Sequence, residues 1–238
     1  MRIVKKIIKR TIGILLLIFL IVSGVIGYKG YERYKEAVEM MPLQEKISEI
    51  RKNPSYTETE ELPQIYLDAV VAVEDKRFYH HPGIDPISIV RAIRNNINAR
   101  ALIEGGSTIT QQLAKNLYFS QEQSLTRKVA EGMLALKLEQ NYTKEEILEL
   151  YVNSIYFGDG YYCVEEASCG YFGKMPSEMN AYESTMLAGI PNAPSAYAPT
   201  VSMELAIERQ KKVLESMVRE KYLTEEEALE IQNFKASF

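Results

Sequence analysis

Histidine and cysteine are scarce in this chain, with two of each among its 238 residues. His80 and His81 are adjacent, and adjacent histidines form a poor ligand pair for zinc. Cys163 and Cys169 have five residues between them and would form a disulfide only in an oxidising compartment. The sequence therefore predicts no zinc site. The two cysteines could form a disulfide or remain free thiols, and we favour the free thiols.

Charge is absent from residues 11–27, which form one apolar run. A helix needs roughly 17–25 such residues to cross the hydrocarbon core of a bilayer, so this run is at the short end of that range. Five basic residues and no acid occupy residues 2–10, and such a cluster marks the cytoplasmic side. No Ala-x-Ala-like cleavage site follows the run, so we predict an uncleaved anchor rather than a cleaved signal peptide.

Strand-like alternation and internal repeats do not stand out, whereas helical spacing of apolar residues is frequent after Leu62. An apolar content of 46% and a charged content of 25% suit one globular domain with a hydrophobic core. We therefore predict an all-α fold with four parts: a cytoplasmic basic tail (1–10), a transmembrane anchor (11–27), a stalk (28–61) and one domain (62–238).

Local capping signals predict where several helices begin. Asp85 before Pro86 predicts a helix to about residue 98, and its apolar residues are expected to face inward: Ile89, Val90, Ile93 and Ile97. Thr108 and Thr143 each begin a segment with the spacing of a capping box. Residues 156–176 are rich in Tyr and Gly and are predicted to be irregular. Further helices are predicted over 183–190, 203–219 and 224–233.

The formal net charge of −4 conceals an uneven distribution. The N-terminal tail carries +5, so residues 11–238 sum to −9. Residues 76–137 nevertheless hold nine Lys or Arg side chains against four acidic ones. A locally basic stretch in an acidic protein predicts a bound anion, and a solvated helix surface is the alternative.

Three motifs between residues 74 and 131 contain the candidate site. They are, in order, Glu74-Asp75-Lys76-Arg77-Phe78-Tyr79-His80-His81-Pro82-Gly83, Gly105-Gly106-Ser107-Thr108-Ile109-Thr110-Gln111-Gln112 and Arg127-Lys128-Val129-Ala130-Glu131. Glu74 and Glu131 are separated carboxylates, and a carboxylate is a suitable general base. The cations nearby are candidates for binding phosphate: Arg91, Lys115, Arg127 and Lys128. The alternatives are an ion pair between Glu131 and Arg127, one helical turn apart, and a plain loop and helix cap at the second motif.

These motifs together resemble the peptidoglycan glycosyltransferases, glycosyltransferase family 51. The first motif fits the pattern Glu-Asp-x-x-Phe-x-x-His-x-Gly, the second is reproduced in full and the third fits Arg-Lys-x-x-Glu. Later family features are matched as well, in Lys144-x-x-Ile147-Leu148-Glu149-x-Tyr151-Val152-Asn153, Tyr171-Phe172-Gly173-Lys174 and residues 187–194. The resemblance covers roughly residues 60–220.

The resemblance implies a lysozyme-like α-helical fold and polymerisation of lipid II into glycan strands, with release of undecaprenyl pyrophosphate. Glu74 would be the general base, and Glu131 would organise the pyrophosphate site with Lys115, Arg127 and Lys128. Other residues implied to line the cleft are Arg77, Arg91, Gln111 and Gln112. Residues implied to support the site are Asp75, Phe78, His81, Gly83, Ser107, Thr108 and Asn153.

The resemblance also implies the surroundings of the enzyme. A divalent metal, magnesium or manganese, is the candidate cofactor, and no organic cofactor or nucleic acid is expected. The expected partners are lipid II, the growing glycan strand, a bacterial membrane, which residues near 84–104 would touch, and a separate transpeptidase. The expected location is a single-pass protein of the bacterial cell membrane whose catalytic domain is extracytoplasmic.

Two departures from the family pattern motivate an alternative. Many members carry basic residues where this chain has Gln123 and Ala130. A catalytically weak, membrane-tethered module that binds lipid II or a partner is therefore the second hypothesis. A lysozyme-like, glycan-cleaving enzyme is a third, but it does not explain the second motif or the basic cluster. No Ser-x-x-Lys motif occurs, so we expect a monofunctional enzyme or a piece of a larger one.

Overall fold

The computed structural model describes residues 2–101, 105–120, 122 and 124–234. Over these residues the chain is α-helical and contains one isolated β-bridge, between Gly158 and Tyr161, and no strand. The helices are α1 (Arg2–Met40), α2 (Leu43–Arg51), α3 (Gln64–Glu74), α4 (Pro86–Ala99), α5 (Ile109–Tyr118), α6 (Leu125–Asn141), α7 (Lys144–Val152), α8 (Val164–Phe172), α9 (Ala181–Gly189), α10 (Pro194–Tyr197), α11 (Met203–Arg219) and α12 (Glu225–Asn233). The predicted all-α fold is confirmed.

Helix α1 is long and apolar enough to cross a bilayer, and its most apolar stretch is not covered by the rest of the protein. At 1.5 Å per residue it would extend about 58 Å, well beyond a hydrocarbon core of about 30 Å. The C-terminal part of α1 packs against α6. Gly30 permits this crossing, because a Cβ atom there would collide with Val129.

The main hydrophobic core surrounds α3, which packs against α9 and α11. Six of its eleven residues are buried, and Tyr66 is fully enclosed. The segment predicted as a stalk, 28–61, contains the second part of α1 and all of α2. Leu43 and Ile47 of α2 are buried in the same core as the residues of α3. Helix α3 is thereby enclosed by the core, and Glu74 is its last residue.

Helix capping confirms the predicted helix starts. The Asp85 side chain accepts from the backbone N–H of Ile87, with Pro86 at the first helical position. Thr108 and Thr143 each form a complete capping box with the residue three positions later. The helices predicted near the C-terminus are present as α9, α11 and α12.

Two local predictions were wrong. In α4 the apolar residues Val90, Ile93 and Ile97 are more than half exposed, and the buried residues are Ser88 and Ala92. Small side chains let this other face approach the protein closely, so periodicity identified an apolar face but not its orientation. Residues 156–176, predicted to be irregular, include helix α8, whose Val164 and Ala167 are fully buried.

Candidate active site

Glu74 lies at the C-terminal end of α3, on the wall of a polar cleft of about 650 Å³. Its Oε2 atom accepts a hydrogen bond of 2.8 Å from Gln112 Nε2. Its Oε1 atom is buried without a hydrogen-bond donor, and Arg209 Nη2 lies 3.6 Å away. The Glu74 side chain is only 10% exposed. The structure therefore holds a largely desolvated carboxylate at the edge of the cleft.

Glu131 is a fully buried carboxylate on α6 that holds two cations. Arg127 Nε lies 2.8 Å from Oε1, as an ion pair rather than a directed hydrogen bond, and Lys128 Nζ lies 2.6 Å from Oε2. Lys128 Nζ also donates to Ser107 Oγ at 3.1 Å, on the cleft wall. The ion pair with Arg127 that the sequence offered as an alternative thus exists. Glu131 itself does not line the cleft and reaches it through Lys128.

Lys115 on α5 connects the two carboxylates electrostatically and lines the same cleft as Glu74. Burial is the largest influence and lowers its pKa. Glu131 and Glu74 both act to raise that pKa, whereas Lys128 and Arg127 act to lower it, and the net pKa is lowered. Lys115 is therefore within electrostatic reach of both acidic groups.

An apolar groove of about 750 Å³ meets the polar cleft at Ser107. It runs between the end of the apolar part of α1 and helices α4 and α6, and its lining includes Ile26, Ile89, Val129 and Met133. Lys128 and Gln111 also line this groove. A molecule with a polar, anionic part and a long apolar part would fit across the junction.

Several predicted residues fasten the motifs to one another. His81 Nδ1 accepts from the Gly83 N–H, so Nε2 carries the ring proton and donates to Asp75 Oδ2 at 2.9 Å. The same Asp75 oxygen accepts from the backbone N–H of Ile109, at the start of α5. The first motif is thereby tied to the second by buried hydrogen bonds.

The second motif returns a bond to the first, because Thr108 Oγ1 donates to the carbonyl of Gly83 at 2.6 Å. Gly83 has φ +98°, and a Cβ atom there would lie 3.0 Å from the carbonyl oxygen of Ala135. The Gln111 side chain accepts from the backbone N–H of Thr108 and is 7% exposed. Gln111 therefore closes the capping box and borders the apolar groove rather than the polar cleft.

Three other predicted residues lie away from the cleft wall. Arg77 pairs with Asp85 at 2.9 Å, Phe78 is fully buried, and Asn153 bonds to the backbone of Thr57 through both amide atoms. Arg91, by contrast, does line the cleft, as predicted from the resemblance.

Two contributing residues were not assigned a role from the sequence. Arg209, on α11, lies 135 positions after Glu74, and no local pattern distinguishes it from the other charged residues of its helix. Lys144 belongs to a matched motif, and its ammonium contacts the His81 carbonyl at 2.8 Å and lies 4.4 Å from the centre of the Phe78 ring. Matching that motif could have suggested a supporting role for Lys144.

Two positions, Gln123 and Ala130, motivated the hypothesis of a catalytically weak binding module. Ala130 is fully buried. Gln123 lies outside the described residues.

Cys163 and Cys169 are both free thiols, the alternative that the sequence favoured.

The described residues do not assemble a metal site by themselves. Among them, no group of three or more His, Cys, Asp or Glu side chains lies close enough to hold an ion. Glu131, the carboxylate beside the cleft cations, faces a cation on each of its oxygens. A magnesium or manganese ion remains a prediction from the resemblance.

Comparison with known proteins identifies the family. The family model described as Transglycosylase matches residues 43–218. Penicillin-binding protein 1A of Aquifex aeolicus is 46% identical over 178 residues, covering 75% of this chain and 24% of the relative. Penicillin-binding protein 1A of Neisseria flavescens is 47% identical over 169 residues, covering 71% of this chain and 21% of the relative.

A crystal structure of penicillin-binding protein 1A from Haemophilus influenzae aligns with a TM-score of 0.47 and 24% identity, over 76% of this chain and 18% of that one. The chain spans less than a quarter of the length of these relatives. The family model nevertheless covers most of this chain, including all three motifs, α3, α5, α6 and Arg209. The chain belongs to the transglycosylase family.

Proposed function

We propose that this protein polymerises lipid II into peptidoglycan glycan strands and releases undecaprenyl pyrophosphate. The observation that carries the proposal is the junction at Ser107 between a cationic cleft and an apolar groove beside α1. A substrate with sugars, a pyrophosphate and a polyprenyl chain has the matching distribution of polar and apolar parts. Glu74 and Lys115 line the polar cleft, and Lys128 lines the groove and bonds to Ser107 at the junction.

Glu74 acts as the general base in the proposed reaction. It takes the proton from the 4-hydroxyl of the acceptor sugar as that oxygen bonds to the anomeric carbon of the growing strand. The bond from the anomeric carbon to the pyrophosphate oxygen breaks with its electron pair, which inverts the configuration. A largely desolvated carboxylate suits this task, because few water molecules compete with the acceptor hydroxyl for its oxygen atoms.

Lys115 and Lys128 stabilise the negative charge that develops on the leaving pyrophosphate. Both side chains border the junction, and Lys128 is about half exposed, so its ammonium can reach a ligand. Glu131 holds Lys128 and Arg127 in place, and Arg127 is anchored further by the carbonyl of Ser120 at 2.8 Å. Preorganised cations of this kind lower the barrier because they need no rearrangement as charge develops.

The test is polymerisation of purified lipid II by the full-length chain in detergent or proteoliposomes. We expect polymer from the wild type and from the surface control Glu45→Gln, and none from Glu74→Gln. Lipid II binding without polymer by the wild type would favour the binding module instead. Cleaved glycan would favour the hypothesis of a lysozyme-like, glycan-cleaving enzyme. A chelator added in parallel tests the predicted metal.

The same proposal places the N-terminus in the cytoplasm, α1 across the membrane and the domain outside. The basic residues before the apolar run support this orientation, and the exposed apolar face of α4 suits contact with the bilayer surface. Cys169 is exposed and Cys163 is buried, so a membrane-impermeant maleimide should label right-side-out vesicles at Cys169. Labelling only of inside-out vesicles would indicate the opposite orientation, and Cys169→Ser is the control.

We also propose that a separate transpeptidase cross-links the glycan product.

A further inference from the structure

Glu74 occupies an electrostatically unfavourable position. It ends α3, where the helix dipole places a partial negative charge, and it has lost most of its contact with water. Gln112, a neutral side chain, bonds only to Oε2, and Oε1 is buried without a donor. Burying a carboxylate in such surroundings is costly unless a nearby positive charge compensates for the lost hydration.

Arg209 supplies that charge from a different part of the chain. Its Nη2 atom lies 3.6 Å from the orphaned Oε1, and its side chain is 15% exposed. The guanidinium is fixed by a hydrogen bond of 3.2 Å from Nε to the Gly189 carbonyl and lies over the ring of Tyr197. Its stem packs on Gly189, where an added Cβ would lie 3.0 Å from Arg209 Cγ.

Other cations of the cleft have acidic partners of their own. Lys76 pairs with Glu220 at 2.9 Å, and Lys212 pairs with Glu215 at 3.0 Å. Lys115 interacts electrostatically more strongly with Glu131 than with Glu74. Among the described residues, Arg209 is the cation that forms an ion pair with Glu74.

We propose that Arg209 is a positioning residue that compensates for the charge of Glu74 and holds this carboxylate in place as the base. This inference rests on the proposed function and adds a residue to it. The 3.6 Å separation matters, because a close bidentate pair would occupy both carboxylate oxygens. Arg209 compensates for the charge through Oε1, while Oε2, which Gln112 orients, keeps a second lone pair for the proton of the acceptor hydroxyl.

The experiment compares Arg209→Ala, Arg209→Lys and the control Lys211→Ala in full-length protein polymerising lipid II. Lys211 is an exposed residue of the same helix that does not line the cleft. We expect kcat to fall about 10–100-fold for Arg209→Ala, as for loss of one interaction with a charged group, while KM changes little. Arg209→Lys should recover part of the rate, and added methylguanidinium should partly rescue Arg209→Ala but not Glu74→Gln.

Several outcomes would overturn the inference. A kcat for Arg209→Ala within twofold of the wild-type value would show that Arg209 does not position Glu74. A rise in KM without a fall in kcat would indicate that Arg209 binds the substrate instead. Far-UV circular dichroism checks folding. If Arg209→Ala is unfolded, the kcat and KM of Arg209→Lys decide by the same two criteria. Failure of the wild type to polymerise would instead refute the proposed function.

Discussion

Replacing Glu131 with Gln should destabilise the protein far more than removing Lys128, although both changes break an ion pair. Glu131 is fully buried and its partner Arg127 is 7% exposed, whereas Lys128 is 45% exposed. Glu131→Gln leaves the buried guanidinium of Arg127 without a counter-ion and beside a second cation. Lys128→Ala leaves the pair between Glu131 and Arg127 intact.

The magnitudes follow from burial. Removing one partner of a buried pair costs about 3–5 kcal/mol, whereas a half-exposed pair contributes about 0–1 kcal/mol. For a domain of this size each kcal/mol shifts Tm by about 2–4 °C. Glu131→Gln should therefore lower Tm by about 6–20 °C, and Lys128→Ala by at most about 4 °C.

The assay is thermal unfolding of the full chain followed by far-UV circular dichroism, since the sequence contains no tryptophan for fluorescence. The Tm difference between Glu131→Gln and wild type should change little with salt, because buried charges are poorly screened. Replacing the pair jointly, as Arg127→Met with Glu131→Leu, should recover much of the lost stability. A Tm for Glu131→Gln close to that of Lys128→Ala would refute the argument that Glu131 anchors the cationic site.

Three further changes test individual contacts. Gly83→Ala should cost about 1–3 kcal/mol of unfolding free energy, because φ is +98° and the new Cβ would meet the Ala135 carbonyl; an unchanged denaturation midpoint would contradict this. Thr108→Val should cost about 1–3 kcal/mol by removing both a cap and the bond to the Gly83 carbonyl, whereas Thr108→Ser should retain most of the stability. Burial lowers the pKa of Lys115, so polymerisation should decline on the alkaline side below pH 10.5 as Lys115 deprotonates; Lys115→Arg should move that decline to higher pH, and an unmoved limb would exclude Lys115 as its cause.

Local signals in the sequence predicted local structure well. The helix starts at Asp85, Thr108 and Thr143 were correct, since a cap depends on a side chain and a backbone N–H two or three residues away. The orientation of α4 could not be predicted in the same way. Its apolar face is real, but whether protein covers that face depends on how Ser88 and Ala92 pack, which lies outside the helix's own sequence.

Long-range contacts account for what sequence reasoning missed at the site. Arg209 reaches Glu74 only because α11 and α3 pack side by side, and its own helix holds other cations that a pattern cannot distinguish from it. Lys76 is an instructive contrast, because it lies two residues from Glu74 and pairs with Glu220 instead. Proximity in sequence therefore does not identify the cation that pairs with this carboxylate.

The matched motifs also contain two physically different kinds of residue that the sequence presents alike. Asp75, His81 and Thr108 are buried and hydrogen-bonded to other protein groups, so they have little capacity to contact a substrate. Glu74 and Lys115 adjoin the same cleft and have incomplete hydrogen bonding or a lowered pKa. Substituting the first kind should change stability and activity together, and substituting the second kind should change activity with little loss of stability. Comparing both measurements for each residue would separate the scaffold of the motifs from the groups that act on the substrate.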